Sequence, residues 1–83
     1  MARTYTERLN DALDYQRSFN QAHIVALAHP GNNAAEREEL RTAAALCGYC
    51  DAMADMFGKS YDDVYQDVHD FTEAVNKREG SEA

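Results

Sequence analysis

The sequence predicts an all-α fold, a three-helix antiparallel bundle with two long helices and a shorter third, in a single domain over residues 1–83. Three observations predict it. Apolar residues recur at three- and four-residue steps through three segments, a capping residue precedes each segment, and Gly or Pro separates them. No segment has the alternation of a strand. With 14 Ala and no Trp, the expected core of large side chains is thin for a domain of 83 residues.

The first helix is predicted over residues 5–29. Thr4 and Glu7 form a capping box, in which the hydroxyl and the carboxylate each satisfy a free amide of the first turn. Pro30 disfavours helix at the residue before it, and Gly31 allows a turn. The apolar stripe of this helix consists of Leu9, Ala12, Leu13, Phe19, Ile24 and Leu27.

The second helix is predicted over residues 34–57, from a polar start at Asn33 to Gly58, which suits the left-handed position after a helix. Apolar side chains cover more than half of its circumference, in two adjoining stripes. The first stripe is Leu40, Ala43, Cys47, Cys50, Ala54 and Phe57, and the second is Leu46, Tyr49, Met53 and Met56. A helix with so wide an apolar surface packs at the centre of a bundle or also contacts a second subunit.

The third helix is predicted over residues 61–78 and begins after Ser60, a favourable N-cap residue. One side of it is apolar and consists of Tyr61, Val64, Tyr65, Val68, Phe71, Thr72 and Val75. The other side carries acidic residues. The sequence becomes polar throughout after Asn76, so we expect residues 79–83 to form a frayed tail.

The charge balance of the chain excludes several classes of partner. Fifteen Asp and Glu against eight Lys and Arg give a net charge of −7, which opposes binding to nucleic-acid phosphates and to anionic membranes. No run of 18 apolar residues occurs, so we expect no membrane span. The first residues lack the apolar stretch of a signal peptide, and we expect a cytoplasmic protein, in the host cytoplasm if it is phage-encoded.

Most of the negative charge lies in one segment. Between residues 51 and 73 seven acids stand against one base, Lys59, so this segment carries −6 of the net charge. These acids are termed the acidic ridge: Asp51, Asp55, Asp62, Asp63, Asp67, Asp70 and Glu73. Like charges at three- and four-residue steps destabilise a helix slightly. Two interpretations are open, a solvated helix face or a surface that binds a basic partner protein, and our functional prediction rests on the second.

Two further sets of residues are candidates for contacts with other molecules. Apolar residues left over after the bundle has packed predict a homo-oligomer, at least a homodimer, with an interface at Val25, Tyr49, Met53 and Met56. Gln16, Asn20 and His23 fall on the apolar side of the first helix, where buried polar groups need partners. They form either a polar layer that fixes the register of the helices or a seam that binds a small ligand, which is the alternative function.

The two cysteines have CxxC spacing without the context of a redox or zinc motif. Cys47 and Cys50 fall in mid-helix, and not at a helix start, where thiols are activated. A zinc site would need two more ligands, of which His69 could supply one. We expect two core thiols and no metal. No nucleophile-and-base spacing or Gly-rich phosphate loop occurs, so we predict a protein without enzymatic activity or cofactor.

A small acidic helical chain of this kind resembles phage-type inhibitors of host defence or nucleic-acid machinery, such as anti-CRISPR proteins. The resemblance rests on size, charge and fold class. It implies that the acidic ridge occupies a basic, nucleic-acid-binding surface of a partner protein, as a DNA mimic does. The function predicted from the sequence is therefore that of a non-enzymatic inhibitor that binds a basic partner and does not bind nucleic acid directly.

Overall fold

The computed structural model describes residues 3–82, and it contains three α-helices: α1 (Tyr5–Ala28), α2 (Asn33–Phe57) and α3 (Tyr61–Glu82). No strand occurs within this range, in agreement with the predicted all-α bundle. α1 and α2 form an antiparallel hairpin, and α3 packs against both of them. In the described part of the chain, no helix combines the length and the apolar character needed to cross a membrane.

Local hydrogen bonds fix the helix ends much as predicted. The Thr4 hydroxyl oxygen accepts from the Glu7 amide at 3.2 Å, and the Glu7 carboxylate accepts from the Thr4 amide at 3.3 Å, which confirms the capping box. Gly58 follows α2 in the left-handed conformation with φ of 61°. The Ser60 hydroxyl oxygen accepts from the Asp63 amide at 3.2 Å, so Ser60 caps α3.

The turn between α1 and α2 differs slightly from the prediction. α1 ends at Ala28, one residue before the predicted end, and α2 begins at Asn33, one residue early. The N-cap of α2 is Asn32, whose side chain accepts a hydrogen bond from the Ala35 amide at 3.0 Å. Because Asn is an equally good cap at either position, the sequence alone does not select between the two asparagines.

α3 is longer than predicted. Its 22 residues continue to Glu82, so the tail expected from residue 79 onward is helical wherever it is described, and Ala83 lies outside the described residues. Arg17 of α1 accounts for the extra turn, because its guanidinium donates to Glu79 at 2.9 Å and to Asn76 at 2.8 Å. A contact between residues so distant in sequence stabilises a turn that local propensity leaves weak.

The core lies where α3 covers the α1–α2 hairpin. This part is termed the three-helix base and comprises residues 3–19 and 45–80. Its buried cluster consists of Leu9, Ala12, Leu46, Cys50, Met53, Val64 and Val68. The buried Thr72 donates from its hydroxyl to the Val68 carbonyl at 2.8 Å. At the edge of the cluster, the Tyr5 and Phe57 rings pack edge to face with centroids 5.1 Å apart.

The hairpin continues past the base as two helices only. This part is termed the distal hairpin and comprises residues 20–44. α3 does not cover it: Val75 is half-buried, and residues 76–80 of α3 are all exposed. Ala22 is buried between the two helices, and a His23–Glu39 pair joins them. Small residues thus take the place of the large core side chains of the base.

The helical positions of the apolar residues show which side chains are exposed where α3 does not cover the hairpin. Leu27 follows Leu9 by eighteen residues, which is five full turns, so both point in the same direction from α1. Leu9 is 9% exposed and Leu27 is 68% exposed. Ile24 and Leu40, also predicted to be core residues, are exposed as well. The predicted stripes continue in phase, and the prediction of burial is wrong at these three positions because α3 does not reach them.

Candidate protein-binding face

The acids of α3 lie on its outward side, away from the buried Val64 and Val68. Those that are exposed on α3 are Asp62, Asp63, Asp70 and Glu73. Asp63 and Asp70 are two turns apart, and Asp70 and Glu73 are one turn apart, so these side chains project from one side of the helix; the Cβ atoms of Asp70 and Glu73 are about 5–6 Å from each other. This face contains four of the seven ridge residues.

Asp51 and Asp55 contribute the α2 part of the acidic ridge. Both are exposed, and they stand one helical turn apart. The short turn around Gly58 joins the end of α2 to the start of α3, so Asp55 and Asp62 lie at the same end of the bundle. Two helices therefore supply the exposed acids.

Asp67 has a different environment from the other ridge residues. It is half-buried, and its carboxylate accepts a hydrogen bond from the Tyr5 hydroxyl at 2.6 Å. Burial, together with this hydrogen bond, raises the pKa of Tyr5. Because Tyr5 is the first residue of α1, the bond fastens the start of α1 to α3. The Asp67 carboxylate thus stabilises the fold and is less free than its neighbours to contact a partner.

The charge of the ridge has no Lys or Arg counter-ion within residues 3–82. Lys59, the single base of the segment, lies with its Nζ 4.5 Å from the centroid of the Tyr5 ring, in a cation–π contact. The arginine ion pairs of the described chain all involve acids outside the ridge: Arg3–Asp11, Arg17–Glu79 and Arg41–Glu38. The intramolecular basic partner of a ridge acid is His69, whose Nδ1 is 3.7 Å from Asp70.

One group of donors on α3 could hold a divalent cation. His69, Asp70 and Glu73 each offer one ligand atom, and these atoms lie within 4.8 Å of one another. All three side chains are exposed, and Asp70 already accepts from Gln66 at 2.9 Å. Tight metal sites hold their ligands through a second layer of hydrogen bonds. These three exposed side chains provide donor atoms for a metal ion, but they lack the second layer of hydrogen bonds that a tight metal site requires.

The two cysteines are not the pair of core thiols that the sequence predicted. Cys50 is buried, and burial raises its pKa to about 11, whereas Cys47 is exposed. A three-residue step turns a helix by about 60° short of a full turn, which is enough to bring Cys47 to the surface. Hydrogen bonding with Cys47, together with burial, raises the pKa of Tyr61.

The three polar residues of the predicted ligand seam do not form a common pocket. Gln16 is 3% exposed, while Asn20 and His23 are exposed because α3 no longer covers that side of α1. The Gln16 amide donates to Asn20 Oδ1 at 2.9 Å. His23 pairs with Glu39 and stacks on Phe19 with centroids 5.7 Å apart. Gln16 Oε1 is buried and accepts no hydrogen bond within the described chain.

A groove of about 470 Å³ lies between α1 and α2 where the base meets the distal hairpin. Ala22, Val25 and Ala35 give it an apolar lining, and Arg17 and Arg41 also line it. Both arginines pair with glutamates, as described above. Tyr5, Cys50 and Tyr61, whose pKa values are raised in part by burial, do not line this groove. The groove is therefore an open surface lined by apolar residues and by charged residues that are already paired.

The four residues of the predicted oligomer interface do not form one surface. Met53 is fully buried in the core and has no surface to offer a second subunit, so its assignment is corrected. Tyr49 is half-buried and stacks on Tyr15 with centroids 4.9 Å apart. Val25 and Met56 are exposed, but they lie near opposite ends of the hairpin. The wide apolar surface of α2 is used to pack α1 and α3 together.

Six of the seven residues of the acidic ridge are exposed, and they are supplied by α2 and α3. Comparisons with protein-family models, with curated proteins and with solved structures found no match for this chain. The functional argument therefore rests on the chain's own residues.

Proposed function

We propose that this protein binds a basic surface of a partner protein through the acidic ridge and acts by binding, without catalysis. The supporting observation is the distribution of counter-ions. Three arginines of the described chain, Arg3, Arg17 and Arg41, pair with acids outside the ridge, and the ridge acids have no Lys or Arg partner among residues 3–80. An exposed ion pair contributes only about 0.2–1 kcal/mol, but an array of complementary charges increases the association rate and selects the partner.

The chemistry of the ridge also indicates a class of partner. Clustered Lys and Arg are typical of surfaces that bind nucleic-acid phosphates. We therefore propose that the partner is a nucleic-acid-handling or defence complex, and that this protein inhibits it as a DNA mimic occupying the nucleic-acid site. A phage-type inhibitor acting in the host cytoplasm would have these properties. Direct binding of nucleic acid by the ridge is opposed by its own charge.

A small-ligand function at Gln16, Asn20 and His23 is the second candidate. One observation favours it, which is the buried Gln16 Oε1 without a described donor. Asn20 and His23, however, are exposed and already engaged with Gln16 and Glu39. A ligand that donated a hydrogen bond to Gln16 would bind with little dependence on salt. Binding through the ridge weakens as salt screens the charges, so ionic strength separates the two candidates.

Paired charge-neutralising variants test the ridge. Asp70→Asn with Glu73→Gln removes two exposed ridge charges and leaves the Tyr5–Asp67 bond intact. Asp14→Asn with Glu36→Gln removes the same charge from exposed acids outside the ridge and is the matched control. Each full-length protein is immobilised and exposed to a cell extract, and the bound proteins are identified by mass spectrometry while salt is raised from about 50 to 300 mM.

We expect one partner to be retained by the wild type and the control variant, to be lost from the ridge variant, and to elute as salt increases. All three proteins should keep the same circular-dichroism spectrum and melting temperature, because the changed side chains are exposed. The affinity of the purified partner is then measured for each protein. Equal affinity of the ridge variant and the control at about 50 mM salt would show that the ridge is only a solvated helix face.

A further inference from the structure

The distal hairpin has an apolar face that no other part of the described chain covers. This distal apolar face consists of Ile24, Leu27 and Leu40, which are 60%, 68% and 69% exposed. Leu27 is in phase with Leu9, as noted above. Ile24 follows Leu13 by eleven residues, or about three turns, so it too points to the side of α1 that packs in the base.

Leu40 belongs to the same side of the hairpin. It precedes Ala54 by fourteen residues, which is about four turns, and Ala54 packs against the core cluster that contains Val64 and Val68 of α3. Leu40 therefore continues the side of α2 that faces α3 in the base. The three side chains mark the position that a third helix would fill if α3 followed the hairpin to its end.

The charge around this face is balanced, in contrast to that of the ridge segment. Residues 20–44 carry three glutamates and two arginines. Glu36 and Arg37 line a recess beside Leu40, so both signs of charge flank the apolar residues. A two-fold axis brings the same patch of two subunits together, and a patch with adjacent positive and negative groups is then complementary to its own copy. The ridge, which consists of seven acids, would repel a copy of itself.

We propose that the distal apolar face is a homodimer interface, in which a second copy of this chain packs on the side of the hairpin that α3 leaves open. Stable interfaces take about 800 Å² from each partner. Three aliphatic side chains supply less than that, so flanking polar residues contribute and the dimer is weak. The ridges lie on the base and remain free, and the proposal does not depend on their function.

Single charge insertions test this interface. Leu27→Glu and Leu40→Glu each place a carboxylate in the apolar face, and both positions are so exposed that the fold is retained. Met56→Glu is the matched control, because Met56 is also apolar and 53% exposed but lies at the base end of α2. Light scattering coupled to size exclusion gives the mass of each full chain from about 5 to 200 µM, in low and high salt.

We expect the wild-type mass to rise towards twice the 9.3 kDa of one chain as concentration increases. Met56→Glu should behave as the wild type does, while Leu27→Glu and Leu40→Glu should raise the Kd at least about tenfold. The dimer should persist in high salt, since apolar contacts hold it and salt screens the repulsion between two acidic chains. A wild type that stays monomeric throughout, or a dimer that is unchanged by both face variants, overturns the proposal.

Discussion

The three-helix base and the distal hairpin are built from the same two helices, yet they treat their apolar residues in opposite ways. In the base, Leu9 and Leu46 are buried against α3, while in the distal hairpin Leu27 and Leu40 face water. The apolar pattern continues without a break along α1. The difference teaches that the periodicity of a helix sets the direction of a side chain, and that its burial depends on whether a neighbour lies in that direction.

The two regions also differ in how they change the acidity of their side chains. In the base, burial contributes to the raised pKa values of Tyr5, Cys50 and Tyr61. In the distal hairpin, the ion pair with Arg41 lowers the pKa of Glu38, an exposed residue. The base also contains a shift of the exposed kind, since the hydrogen bond with Asp11 raises the pKa of Arg3. Among the described residues, shifts to which burial contributes are therefore confined to the base, while shifts from exposed pairs occur in both regions.

The largest expected difference between the two regions comes from one substitution made at two places on α2. Leu46→Ala removes a side chain that is 1% exposed, and it should lower the free energy of unfolding by about 2–5 kcal/mol. Leu40→Ala removes one that is 69% exposed, and it should change that energy by less than about 0.5 kcal/mol. Urea unfolding of dilute protein, where the chain is monomeric, measures both values.

The comparison fails if the two alanine variants lose similar stability, because α3 or another part of the chain would then cover Leu40 in solution. Helix propensity does not account for the expected difference, since both changes replace Leu by Ala within the same helix.

The second prediction concerns the bond that fastens α1 to α3 in the base. Tyr5→Phe removes the hydroxyl that donates to Asp67, and it should cost about 1–2 kcal/mol near pH 7. Asp67→Asn is the control, because its amide oxygen can still accept from Tyr5 and should preserve part of that energy. Thermal and urea unfolding of the three proteins give the order of stability.

The pH dependence of the same pair follows from the raised pKa of Tyr5. A group whose pKa is higher in the folded state contributes its full stability below its unfolded pKa, about 10 for Tyr, and loses it as pH rises towards the folded value. The stability advantage of the wild type over Tyr5→Phe should thus be constant up to about pH 10 and shrink above it. An advantage that grows in alkali would contradict the assignment.

The smallest expected effect lies at the junction of the two regions. Arg17→Gln removes the hydrogen bonds to Asn76 and Glu79, so the last turns of α3 should fray at a cost of about 0.5–1 kcal/mol. Amide hydrogen exchange should accelerate from residue 76 onward and remain unchanged in α2. Arg41→Gln breaks a pair within one helix and should leave α3 as it is. Unchanged exchange in the Arg17 variant would mean that the end of α3 is stable by itself.

The parts of the fold that were predictable from the sequence depend on neighbouring residues. Thr4, Ser60 and Gly58 mark helix ends through bonds and backbone angles within a few positions, and the prediction was right at each. The end of α3 was not predictable, because Arg17 holds it from a distance of 62 residues. Nor does periodicity indicate where α3 stops covering the hairpin.

The candidate site divides in the same way. Charged side chains face water on most helices, so the exposure of Asp62, Asp70 and Glu73 follows from the sequence. The bond between Tyr5 and Asp67 and the fully buried position of Met53 depend on the packing of helices. The apolar arc of α2 is so wide that phase alone does not tell which part of it meets α1, α3 or solvent.

Because Cys47 is exposed and Cys50 is buried, the rates at which the two thiols are modified report the opening of the three-helix base. A thiol reagent attacks the thiolate, so the exposed Cys47 is modified in the native state, while the buried Cys50 waits for the base to open. The rate of the second modification, followed by mass spectrometry, reports how often the base unfolds in the absence of denaturant. The distal hairpin holds no cysteine. The rate of labelling at Cys50 therefore reports the opening of the base and not that of the distal hairpin, and the measurement requires no engineered label.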